Sequence, residues 1–250
     1  MFGKAIGAGL LGLAMVACSP PAPRSETPRD PAAAAGWTRP PMIHAVRRVA
    51  DGLVFTGQAE PGSRVVLRSP AGPAHAAAAD EAGRFEIRMG TPSGDLMLRP
   101  ETQVGQDAAP SPERLLIVAG GRGPVAILRP GGPTRRLDRA PALGAVDSDG
   151  RMRLVSGRGA ASGPAIGLVA DGETGRVTPD AAGNWSLVLG PSAGPDDIIV
   201  GGRAFRWPGE GGGEAATEAA PRVERAGAGW RVVWSGAGGG RQTTWLPDPV

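Results

Sequence analysis

Few residues of this 250-residue chain have the types and spacings that chemistry requires. Asp147-Ser148-Asp149-Gly150 sets oxygen donors on alternate residues ahead of a glycine, the way a calcium loop opens. A complete loop needs further oxygen donors and a late Glu. Arg151 and Arg153 follow instead, so the stretch reads as a polar hairpin turn. Gly120-Gly121-Arg122-Gly123 and Gly131-Gly132 are small enough to cradle a phosphate, but no Lys-Ser or Lys-Thr follows and no helix pattern opens there. Hairpin turns are the expectation. Covalent hydrolysis needs a base held beside its nucleophile. Of the two histidines, His44 lies just before the first strand pattern and His75 among alanines, and neither is placed for that work. Asp196 and Asp197 are adjacent, and adjacent side chains of a strand face opposite ways. The sequence therefore assigns no catalytic residue, no metal ligand and no cofactor, and an enzyme is not expected.

Aromatic side chains are the remaining candidates. Trp230 and Trp234 sit four apart on a strand pattern, so both point to one face with Val232, and Trp245 lies on the expected partner strand. Left exposed, such a face could stack on sugar rings or hold a partner protein. The blander reading, favoured here, is that it covers the second sandwich.

Cys18 is the only cysteine. One thiol can neither close an internal disulfide nor build a cysteine zinc site. It ends an apolar run, Ala5 to Val16, that follows Lys4 and is shorter than the roughly 20 residues a membrane-spanning helix needs. Met15-Val16-Ala17-Cys18 resembles the lipobox of bacterial lipoproteins, with Met15 where that family prefers Leu. The resemblance implies cleavage before Cys18, a diacylglycerol on its thiol and acylation of the new amino group. Each buried CH₂ of such chains contributes about 0.8 kcal/mol, so several chains make a firm anchor. Ser19, rather than the Asp that retains enteric lipoproteins in the inner membrane, implies the outer membrane facing the periplasm. Residues 1–17 are then a signal peptide. Residues 18–40 are a lipidated, flexible tether, rich in Pro and Ala over Pro20 to Gly36.

The elements that would position any site are β. Forty-one glycines and 26 prolines punctuate short runs of Val, Ile and Leu, and no stretch after Cys18 keeps a helical period for long. Lys and Arg number 27 against 24 Asp and Glu, a balance with no strong pull on nucleic acid.

Two segments align without gaps at an offset of one hundred residues. Leu53-Val54-Phe55-Thr56-Gly57 matches Arg153-Leu154-Val155-Ser156-Gly157. Asp80-Glu81-Ala82-Gly83-Arg84-Phe85 matches Asp180-Ala181-Ala182-Gly183-Asn184-Trp185. Such self-similarity marks a duplicated unit. Phe85, Ile87 and Met89 alternate with charged residues, as on a strand with one wet face. Leu115-Leu116-Ile117-Val118 reads as the counterpart of Asp197-Ile198-Ile199-Val200, each running into a Gly-Gly turn. Arg99 to Glu113 reads as an inserted surface loop. Gly229-Trp230-Arg231-Val232-Val233-Trp234-Ser235-Gly236 echoes residues 52–57 and suggests a partial third copy.

Gly57-Gln58-Ala59-Glu60-Pro61-Gly62-Ser63-Arg64-Val65-Val66-Leu67, followed by the Asp80 turn, resembles bacterial Ig-like domains of exported proteins. Carboxypeptidase-regulatory-like domains share a similar turn. The second unit lacks the Pro-Gly step and has Ala161-Ser162 there. The resemblance implies an all-β fold: two tandem antiparallel Ig-like β-sandwich units, 41–133 and 141–208, a linker at 209–221 and a short C-terminal β-hairpin at 222–250. It implies a non-catalytic envelope scaffold or protein-interaction module. The alternatives are a glycan- or peptidoglycan-binding lipoprotein using Trp230, Trp234 and Trp245, or an envelope enzyme of unrecognised type. The expected partners are membrane lipid through acylated Cys18 and an envelope protein or glycan, with no nucleic acid.

Overall fold

Alternation of apolar and charged residues decides the first strands. Phe85, Ile87 and Met89 are buried while Arg84, Glu86 and Arg88 are exposed, and this strand, β5 (Arg84–Gly90), forms the edge of a three-stranded antiparallel sheet with β2 (Gly52–Gln58) and β1 (Met42–Val49). The computed structural model describes residues 38–70, 72–192, 194–212, 221–236 and 239–248. The expected signal peptide, Cys18 and nearly all of the tether lie outside the described residues, as does 213–220 of the linker.

Facing that sheet is a second, built from β3 (Arg64–Arg68), β4 (His75–Ala78), β6 (Leu96–Val104), β7 (Asp107–Pro110), β8 (Arg114–Ile117), β9 (Val125–Leu128) and β10 (Arg135–Arg136). Phe55, Phe85 and Ile87 from one sheet pack against Val65, Leu67, Leu98 and Leu115 from the other, which makes a sandwich with its own core. The second unit repeats the arrangement. Strands β11 (Leu143–Ser148), β12 (Arg153–Arg158) and β15 (Asn184–Leu189) face β13 (Ile166–Ala170), β14 (Glu173–Val177), β16 (Asp196–Val200) and β17 (Arg203–Trp207). Val146, Val155 and Trp185 meet Leu168, Ile198, Phe205 and Trp207 in the second core. The protein is all-β with antiparallel sheets, and among the described residues its helical structure is one 3₁₀ turn, Ala119–Gly121.

Three sequence expectations are corrected. Arg99 to Glu113 is not a surface loop: β6 runs through it and pairs with β7, and Pro100, Glu101 and Thr102 are buried. Strands β7 and β8 lie end to end along one edge of β6. The counterpart of β16 is β6, not β8, because each pairs with the strand after the unit's first long turn, β3 or β13. The offset of one hundred thus persists from Leu96 to Asp196. The C-terminal segment is three strands, β18 (Arg222–Arg225), β19 (Gly229–Ser235) and β20 (Arg241–Pro247). They start no third sandwich but extend the sheet of the second unit, in the order β15-β12-β11-β20-β19-β18.

Both copies rest on the same two steric devices. In the hairpin turns, Asp80 Oδ1 accepts the amides of Ala82 and Arg84 at 2.9 and 2.8 Å, and Asp180 Oδ1 accepts those of Ala182 and Asn184 at 2.8 Å each. Gly83 and Gly183 take φ of 77° and 81°. A Cβ on them would stand 2.4 Å from the Ala59 carbonyl oxygen and 2.6 Å from that of Gly159. Beside the turns, the rings of Phe85 and Trp185 lie directly over Gly57 and Gly157, where a Cβ would approach ring carbons to 2.5 and 2.6 Å. The aromatic fills the space that the glycine leaves.

One paired exchange breaks the symmetry in the core. Leu53, buried in the first core, is replaced by Arg153, and Leu96, packed against that core, by Asp196. Arg153 has no exposed surface. It donates to Asp196 Oδ2 at 3.1 Å, to Asp171 Oδ2 and to the Gly190 carbonyl, and its guanidinium stacks 4.9 Å from the Trp207 ring centroid. An apolar pair in one copy is an ion pair in the other.

Two measurements follow. Gly183→Ala should lower unfolding free energy by about 1–3 kcal/mol, the cost of a left-handed non-glycine in a crowded turn, read by urea denaturation. Arg153→Leu alone should cost about 1–3 kcal/mol by leaving half-buried Asp196 without its cation. Adding Asp196→Leu should restore most of that loss, because a buried ion pair and its apolar replacement are often close in stability.

Candidate functional site

The structure disperses the sequence candidates. Trp230 and Trp234 do share one face of β19 with Val232, but the β19–β20 register pairs Trp245 with Arg231, which puts Trp245 on the opposite face. Trp245 is 1% exposed in the second core and donates its indole N–H to the Ala226 carbonyl at 2.9 Å. Trp234 is 2% exposed, and Trp230 is half-buried. No exposed three-tryptophan face exists. The favoured alternative needs correcting too, because only Trp245 covers the second sandwich. Trp234, Val232, Leu246 and Ala145 pack against Met97, Leu116, Val118, Ala126 and Leu128 of the first unit's larger sheet. The two sandwiches therefore meet along an apolar seam.

Asp147, the first residue of the calcium-like stretch, is buried beside that seam. Its Oδ2 accepts the Thr134 amide at 2.8 Å, and its Oδ1 accepts the hydroxyls of Thr134 and Thr244 at 2.6 and 2.7 Å. Trp234 donates its indole N–H to the same Thr244 hydroxyl at 3.1 Å. Burial pushes the Asp147 carboxyl up to about 6, against the pull of the Thr134 and Thr244 donors. Asp149 is committed elsewhere: its Oδ1 accepts the amides of Arg151 and Met152 at 2.9 and 3.1 Å, which holds its carboxyl below the usual carboxylate range. Gly120 and Gly121 form the 3₁₀ turn with φ of 64° and 81°, and Gly131 and Gly132 lie between β9 and β10.

Asp196 serves the Arg153 network, while Asp197 pairs with exposed Arg206 at 3.2 Å. His44 and His75 stand on β1 and β4, in different sheets of the first unit. The sequence reading passes over one pattern, Gly190-Pro191-Ser192-Ala193-Gly194, which has the letters of a hydrolase nucleophile elbow. That elbow needs a strand running into a helix. This one connects two strands, and the Ser192 hydroxyl donates to the Gly194 carbonyl at 3.1 Å.

What the sequence reading misses altogether is a groove of about 770 Å³ at the junction of the units. One side comes from residues 129–140, the end of β9 through β10 and the connection onward. The other comes from β12, β15 and the Asp180 turn, across a floor that includes Gly157 and Trp185. Five arginines line it. Arg136 is fully engaged, chelating Asp138 at 2.6 and 2.7 Å and donating to the carbonyls of Gly144 and Pro247. Arg129 pairs with Glu113 at 2.9 Å. Among the described residues, Arg135 donates to the neutral carbonyls of Ile43 and His44 alone. Burial draws Arg135 below the ordinary arginine range. Glu113 opposes that fall, and nearby Arg129 and Arg158 add to it. Arg139 and Arg158 are exposed and have no ion-pair partner among the described residues. The signal in the sequence was Arg129, Arg135, Arg136 and Arg139 within one short stretch.

No protein-family model matches the sequence, and no curated protein matches it. Two solved structures are similar to the chain. One is a Ca2+-stabilized adhesin that helps an Antarctic bacterium reach out and bind ice, at 14% identity and a TM-score of 0.24, covering 85% of this chain and 49% of that one. The other is the central fibronectin-III array of RIM-binding protein, at 13% identity and a TM-score of 0.26, covering 80% and 72%. The chain thus spans about half the adhesin's length. Likenesses at these TM-scores carry no argument, and the sandwich architecture stands on this chain's own strand pairings and cores.

The Asp147 carboxyl gives a pH test. Its folded value lies above its ordinary 3.8, so the folded state holds the proton more tightly. The stability this group contributes is full below 3.8 and is lost as pH rises through about 6, a loss on the order of 3 kcal/mol. Unfolding free energy of the parent minus that of Asp147→Asn should therefore fall between pH 4 and 6.5. A flat difference across that window would show that the carboxyl does not titrate in the fold.

Proposed function

We propose that the protein is an exported lipoprotein, anchored by acylated Cys18 to the outer membrane and facing the periplasm, and that its body acts as a non-catalytic scaffold or interaction module. The carrying observation is the seam formed by Trp234, Val232 and Leu246 against Leu116 and Leu128. Two sandwiches on a flexible connection would present their surfaces independently. Joined through a continuous apolar layer, they present their surfaces in a fixed relation to each other. The lipobox-like Met15-Val16-Ala17-Cys18 and the Pro- and Ala-rich stretch after it support the anchor. The polar groups buried in the body serve the fold, as Arg153, Arg136 and Asp147 do, which favours binding over turnover.

The anchor is tested by feeding cells a labelled fatty acid. The parent chain should carry label and sediment with membranes. Cys18→Ser should be unlabelled and should no longer partition with lipid. An unlabelled parent would end the proposal of lipid anchoring.

A further inference from the structure

We propose that the groove between the two sandwiches binds an acidic saccharide, a short sugar carrying a carboxylate or phosphate on a ring that keeps its hydroxyls. The inference does not depend on lipid anchoring, since it rests on the groove alone.

The cationic part comes first. Arg135, Arg139 and Arg158 line one cavity, and none of them has a carboxylate partner among the described residues. Like charges gathered in this way repel one another; burial is the main reason the Arg135 pKa falls, Glu113 opposes the fall, and Arg129 and Arg158 add to it. An anion in the groove relieves that repulsion. Guanidinium forks match the planar oxygen pairs of carboxylate and phosphate, so the anion is of that kind.

The rest of the lining restricts what carries it. Asp180 and Asn184 also face the groove, and Asn184 is the cross-strand partner of Arg158. The Asp180 carboxyl is held below the ordinary carboxylate range, by the Asn184 backbone amide first, so it stays an anion at neutral pH. An acidic peptide has no ring hydroxyls to donate to it. Sugar hydroxyls would donate to it, and Thr178 and Ser186 add hydroxyls of their own. Trp185, buried beneath this lining, reports on the groove through its fluorescence. About 770 Å³ falls within the usual range of small-ligand sites and holds a few sugar rings.

The test titrates the full chain in mild detergent with trigalacturonate and with glucose 6-phosphate, following heat and tryptophan fluorescence. Maltotriose, inorganic phosphate and tetraglutamate serve as comparisons. Either acidic sugar should bind at least 10-fold more tightly than all three comparisons. The double variant Arg139→Gln/Arg158→Gln should weaken that binding at least 10-fold with an unchanged melting temperature, because both side chains are exposed. Equal binding of maltotriose, of phosphate or of tetraglutamate would overturn the inference. So would unaltered binding by the double variant, or no binding of either acidic sugar at millimolar concentration.

Discussion

The packing of one sheet on another at the seam governs the rest of the molecule. Leu115, Leu116 and Ile117 of β8, and Val125 to Leu128 of β9, are buried on both faces, one turned to the first core and the other to the second unit. The same holds for β11, every residue of which is buried. Such strands cannot exist at a protein's surface. Without the partner sandwich, Met97, Leu116, Val118, Ala126 and Leu128 would form an exposed apolar patch. The seam also fixes the polar groups around it. The chain from Trp234 through Thr244 and Asp147 to Thr134 links β19, β20, β11 and the connection between the units in one set of hydrogen bonds. The groove exists because that connection, tied down by Arg136, is held against β12 and β15.

What the sequence made legible was local. Alternation in β5, the Asp-x-x-Gly turns and the glycines beneath Phe85 and Trp185 all follow from side-chain period and backbone sterics, and they appear twice at a constant offset. What it hid was pairing. Trp230 and Trp234 could be assigned to one face by counting along β19, but the side taken by Trp245 depends on the register between two strands, and no residue in the turn announces it. The continuous apolar runs of β8 and β9 indicate burial on both faces without naming what covers them. Arg99 to Glu113 was misread because its Pro, Gln and Asp suit a loop, whereas β6 takes Pro100 and Gln103 within the sheet and β7 takes Asp107 and Pro110 beside it.

Arg153 and the groove illustrate different blind spots. The alignment that exposes the duplication also sets an arginine on a core leucine, and an acid one hundred residues after Leu96, so the ion pair was readable in principle as a compensated exchange. The groove was not. Its arginines come from the connection and from β12, and nothing in either segment announces that the fold sets one against the other. Charge totals near balance concealed a local excess of guanidinium groups.

The place of β20 within its sheet has a kinetic consequence. It lies between β11 and β19, so β11 obtains its second neighbour from Thr244, 97 residues after Asp147. Until that strand arrives, β11 has an open hydrogen-bonding edge and unburied apolar side chains, the features that invite pairing with other chains. Closure over so long a span is entropically slow compared with the hairpins around it. The second sandwich is therefore the late-maturing half of the molecule, and a chaperone that shields β11 during synthesis would protect it where protection matters most.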